Sequence, residues 1–91
     1  MIRSFRHAGL RELFETGCSA RVRPDLQRLA LVRLKVLDEA VLLTDLNVPG
    51  FDFHRLRGKP VRYSVHVNGP WCLTFAWEDG DALRVNLEQY H

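Results

Sequence analysis

Residues 61–87 read VRYSVHV, NGP, WCLTFAW, EDGD and ALRVNL, and this run decides the fold. Three segments of six or seven residues alternate apolar and polar positions, the two-residue period of a half-buried strand. Between them stand Asn68-Gly69-Pro70 and Glu78-Asp79-Gly80-Asp81, rich in residues that form tight turns. Connections this short join successive strands antiparallel. Val61, Tyr63, Val65 and Val67, then Trp71, Leu73, Phe75 and Trp77, then Leu83, Val85 and Leu87 share one side, the expected core face. The other side carries Arg62, Ser64, His66, Cys72, Thr74, Ala76, Arg84 and Asn86, small and polar side chains that leave room for a polar ligand.

Outward from this run, residues 51–56 read as a further strand, set off by Gly58-Lys59-Pro60, and residues 2–5 as a short opening strand. Leu10, Leu13 and Phe14 fall at helical spacing, and Gly17 is a natural helix stop. Pro24 suits the first turn of a second, longer helix, because its missing N–H is one that a helix start leaves unpaired anyway. Along it Leu26, Ala30, Leu34, Leu37 and Val41 form an apolar stripe that Leu29, Val32 and Val36 broaden. So wide a stripe must lie against a sheet. The expected class is α+β, with two N-terminal helices packed on one face of a curled, mainly antiparallel sheet. Residues 1–91 make a single domain, since a chain this short supports one core.

Composition narrows the function. Eleven Arg and two Lys against eleven acids give a net charge of +2, and the planar fork of arginine suits phosphate better than the point charge of lysine. Cys18 and Cys72 stand far apart with no CxxC spacing, so two reduced thiols are expected and a structural zinc site is not. No signal-peptide pattern opens the chain and no window approaches the ~20 apolar residues of a membrane span, which points to the cytoplasm. No helix reads as a DNA-recognition helix, the long one being apolar on too wide a face to lie in a groove. A metalloenzyme built on His54, His66 and His91 lacks any closely spaced ligand pair.

The densest cationic run is residues 53–62, with His54, Arg55, Arg57, Lys59 and Arg62 and no acid among them. Tyr90 and His91 follow the last strand directly, so a phenol and an imidazole can approach that run. His66 shares the polar face, while His7 has the place of a structural residue.

Taken together, the chain resembles the HigB branch of the RelE-like toxins, also called plasmid maintenance system killer proteins. The resemblance spans essentially the whole chain. It rests on the opening residues 1–10, on Leu13-Phe14-Glu15-Thr16-Gly17, His54-Arg55-Leu56-Arg57-Gly58, Ser64-Val65-His66-Val67-Asn68 leading into Trp71, Thr74-Phe75, and Tyr90-His91. It implies a RelE-like fold and a type II toxin that inhibits translation as a ribosome-dependent mRNA endoribonuclease, with no metal or other cofactor. The implied partners are the ribosome and its message, and a HigA-like helix-turn-helix antitoxin through which alone the chain meets operator DNA. Carried over by position, His54, Tyr90 and His91 match active-site residues, and Arg57 stands where many members have lysine. Two positions depart: Cys72 occupies the place of a phosphate-stabilising arginine, and Gln89 that of an acid. Arg57 and Arg62 can supply the missing charge. The expected catalytic set is therefore His54, Arg57, Tyr90 and His91, with Arg55, Lys59, Arg62 and Gln89 binding RNA. The alternative that Cys72 and Gln89 motivate is an inhibitor of the same fold that binds without cutting.

Overall fold

The apolar stripe along residues 26–37 becomes helix α2 (Pro24–Glu39) in the computed structural model, which describes residues 1–90. Pro24 stands at its first turn, and Asp25 places negative charge beside the unpaired N–H groups there. Leu26, Ala30, Leu34 and Leu37 are buried. Leu29 and Val36 are partly buried against the core, and two members of the expected stripe are exposed. Val32 lies roughly 200° around the helix from Ala30 and is half exposed, and Val41 falls beyond the helix end, where Ala40 has turned to extended backbone. Helix α1 (Ala8–Thr16) starts at His7, whose Nδ1 accepts the Leu10 N–H at 3.1 Å, and stops at left-handed Gly17 (φ 91°). His7 is thus structural, as its position indicated.

Strands β1 (His54–Arg55), β2 (Tyr63–Asn68), β3 (Trp71–Glu78) and β4 (Asp81–Gln89) form one antiparallel sheet in that order. The strand expected over 51–56 shrinks to two residues because Asp52 takes a left-handed φ of 45° that breaks the extended run. A 3₁₀ turn at Leu43–Leu46, which has no periodic signal, precedes it. The opening segment is not a full strand. It borders β4 through two isolated parallel bridges, Ile2 with Ala82 and Phe5 with Val85.

One further correction concerns β4. Thr74 pairs with Asn86 but Ala76 with Leu83, so one extra residue is inserted, and Arg84 takes φ 51° to absorb it. The insertion reverses the alternation. Ala82 joins Val85 and Leu87 in the core, and Leu83, expected there, is carried to the face of its partner Ala76. Val61, also expected in the core, precedes β2 and is exposed.

Leu10 and Leu13 of α1 and the stripe of α2 meet Val65, Val67, Leu73, Phe75 and Val85 in one apolar cluster. Each such side chain contributes about 1.5–3 kcal/mol when fully buried. The class is α+β, with both helices packed against an antiparallel sheet. Among the described residues no helix is long and apolar enough to cross a membrane. The helices cover one face of the sheet, and the other is left for the site.

Candidate active site

The pairing of β1 with β2 sets His54 opposite Ser64, on the sheet face away from the core. His54 Nδ1 lies 2.9 Å from the Asp52 carbonyl oxygen. A carbonyl only accepts, so the neutral ring carries its proton on Nδ1 and presents the lone pair of Nε2. Ser64 Oγ is 3.5 Å from that Nε2, at the limit of a hydrogen bond. His66, next but one on β2, points its Nε2 at the Gly69 carbonyl at 3.0 Å, so its free nitrogen is Nδ1.

A charged network lies beside these rings. Arg62 Nη1 donates to Glu88 Oε2 at 2.7 Å, and Nη2 donates to the Tyr90 hydroxyl at 3.0 Å. Thr74 Oγ1, fully buried, donates to the same Glu88 oxygen. Burial works against ionisation of Glu88, but the bonds from Thr74 and Arg62 outweigh it and hold the carboxyl below its ordinary range. The guanidinium also stands 6.0 Å from the centre of the Tyr90 ring. Arg62 is in this way fixed by Glu88 and in turn fixes Tyr90.

His54, Arg55, Arg57, His66, Cys72 and Tyr90 line a cleft of about 530 Å³. The cleft thus unites His54, Arg55, Arg57 and Tyr90 of the expected site. Arg62 braces Tyr90 from the side. Lys59 is exposed on the turn before β2, outside the lining, and Gln89 is exposed with strand alternation turning it from the face that Glu88 occupies. His91 lies outside the described residues. Cys72 is buried at the cleft floor, its thiol pushed up chiefly by burial and also by the charge of Asp52, so it stays a neutral thiol there. Both cysteines are free. Among the described residues no cluster of three His, Cys, Asp or Glu side chains is placed to hold a metal ion.

Sequence reasoning missed Glu88, the buried partnership of Thr74, and the Asp52 carbonyl. Continuing the alternation of β4 one residue beyond Leu87 would have placed Glu88 on the polar face. Nothing in the sequence announces the left-handed turn at Asp52, which aims its carbonyl at His54.

A family model described as the RelE-like toxin of type II toxin-antitoxin system HigB matches residues 3–91. Over its full length the chain is 39% identical to a protein named Endoribonuclease HigB from Proteus vulgaris, across the whole of that protein. It is 33% identical to Toxin HigB-1 of Vibrio cholerae, covering 99% of this chain and 98% of that one.

Proposed function

Because the chain belongs to the HigB-like family of RelE-like toxins of type II toxin-antitoxin systems, we propose that it is an endoribonuclease that cuts messenger RNA in the ribosomal decoding site by metal-independent acid–base chemistry. The observation that carries this reading is the His54 ring, held at Nδ1 by the Asp52 carbonyl so that Nε2 is turned to a cleft that Arg55 and Arg57 also line. Cleavage then needs no external nucleophile. His54 Nε2 takes the proton of the RNA 2′-OH, whose oxygen attacks the adjacent phosphorus, and the P–O5′ bond breaks as His91 gives a proton to the departing oxygen. The products are a 2′,3′-cyclic phosphate and a 5′-hydroxyl. Such proton transfer is worth about 10²–10⁴-fold in rate.

Arg57 and Arg62 hold the phosphate oxygens as negative charge develops, taking the part that Cys72 cannot. Tyr90, braced by Arg62, stacks on a base beside the cut, a contact worth roughly 1–3 kcal/mol. Arg55, Lys59 and Gln89 bind RNA around the cleft. As a type II toxin the chain has an antitoxin partner, which we take to be a HigA-like helix-turn-helix protein through which operator DNA is reached, and its place of action is the cytoplasm, where ribosomes are.

Primer extension on programmed ribosomes tests the reading. The wild type yields a cut inside the decoding site, in the presence of a chelator on ribosomes resupplied with magnesium beforehand, and His54→Ala does not. An intact message beneath a translation block would overturn cleavage and leave an inhibitor that only binds.

A further inference from the structure

Arg33 stands on α2, behind the cleft, outside the machinery described above. Its Nε donates to the His66 carbonyl at 2.7 Å, and Nη1 reaches the Leu29 carbonyl one turn back at 3.4 Å. Its guanidinium carbon lies 4.7 Å from the centre of the Phe51 ring. No carboxylate among the described residues pairs with it, although burial disfavours its charge. A cation drawn partly out of water without an anion is held there by bonding and stacking geometry, which lysine cannot reproduce.

Its two distant contacts fall on residues that are themselves joined. The His66 N–H donates to the Phe51 carbonyl at 2.6 Å, and this bond fastens the segment leading to His54 onto β2. The bulge at His66/Asn68 follows at once. From Phe51 the chain turns through left-handed Asp52, and the Asp52 carbonyl sets the His54 ring.

We propose that Arg33 is a positioning residue: by stacking on Phe51 and bonding the His66 carbonyl it fixes the Asp52 peptide, and through it the orientation and tautomer of His54. The consequence for rate rests on the acid–base reading of His54; the placement of the ring does not. A methionine at 33 still covers Phe51 but leaves the His66 carbonyl without its donor. A lysine bonds that carbonyl but cannot lie flat on the ring.

The test combines long-range proton–nitrogen NMR of the imidazoles with single-turnover cleavage on programmed ribosomes, in wild type, Arg33→Met and Arg33→Lys. In Arg33→Met the His54 spectrum moves from the Nδ1–H form to a mixture of tautomers. The cleavage rate at saturating toxin falls by about 10- to 100-fold, the scale of a small misplacement of a reacting group, with the half-saturating concentration unchanged. Arg33→Lys shows the same changes in smaller measure and decides the matter if Arg33→Met does not fold. A wild-type His54 spectrum in a folded variant overturns the proposal, and so does a wild-type rate. If the wild type itself cuts nothing, the acid–base reading fails, and the spectra alone decide whether Arg33 places His54.

Discussion

Glu88 shows what a single residue does when its neighbours come from other strands. Its carboxylate receives Thr74 from β3 and Arg62 from before β2, and these bonds hold its folded-state pKa below the ordinary value against the opposing effect of burial. A depressed carboxyl stabilises the fold above its unfolded pKa, and that contribution is lost as pH falls through the folded pKa. Glu88→Gln should therefore lower stability at neutral pH by about 1 kcal/mol, the scale of a partly exposed charged pair. The difference should vanish in acid, below the ordinary carboxylate range; urea unfolding across pH measures it, and a pH-independent difference would count against the network. Gly9 makes a second case. Replacing a helical glycine by alanine ordinarily stabilises by roughly 0.5–1 kcal/mol. Here a Cβ would stand 2.7 Å from Arg21 Cβ and 2.8 Å from the His7 ring that caps the helix. Gly9→Ala should instead destabilise by about 1–3 kcal/mol, the cost of overpacking, read as a lowered Tm. The sequence marks His54, Arg57 and Tyr90 through their motifs, but neither of these effects, because both depend on which strand or loop lies alongside.

At the scale of elements, what was legible was whatever a period can express. The stripe of α2 and the alternation of β2 and β3 repeat at the spacing of their backbone, Gly17 marks a helix stop and Pro24 a helix start, and the structure follows them. Single-residue events break a period without leaving a trace in it. The left-handed turn at Asp52 cut the strand expected over 51–56 to two residues, and the bulge at Arg84 exchanged Leu83 for Ala82 in the core. The bulge also sets the site, since Glu88 faces Cys72 in the register that follows it. Arg84 holds φ 51° with a full side chain exposed to water, a conformation that costs a residue with a Cβ roughly 1–2 kcal/mol. Arg84→Gly removes that strain but adds unfolded-state freedom, so a net gain of about 0.5 kcal/mol is expected. Arg84→Val, branched at Cβ, should lose 1 kcal/mol or more, about the strain of a disfavoured backbone region. Thermal unfolding of the three chains ranks them, and a valine variant as stable as wild type would show that the left-handed turn is not needed.

For the whole molecule the question is whether RNA responds to the net charge of +2 or to where the charge stands. Acids neutralise cations unevenly. Asp81 pairs with Arg3 and the N-terminal amine, Asp25 with Arg23, and Glu88 with Arg62, while Arg55, Arg57 and Lys59 make no salt bridge among the described residues. The last three are consecutive basic positions at or beside the cleft. Arg11, Arg21 and Arg28, also exposed, belong to the helical side. Binding of single-stranded RNA weakens with salt by a slope of about 0.7 for every phosphate neutralised. Replacing Arg55, Arg57 and Lys59 by Gln should then reduce that slope by about 2, if each contacts one phosphate. The same change at Arg11, Arg21 and Arg28 removes equal charge and should leave the slope as it was. Fluorescence anisotropy of a labelled oligonucleotide over a series of potassium chloride concentrations gives both slopes. Equal losses in the two triple variants would mean that the molecule attracts RNA by its overall field, and that the cleft adds chemistry but no preferred path for the strand. Unequal losses would mean that the strand crosses the polar face of the sheet, along the cleft that Arg55 and Arg57 line together with His54.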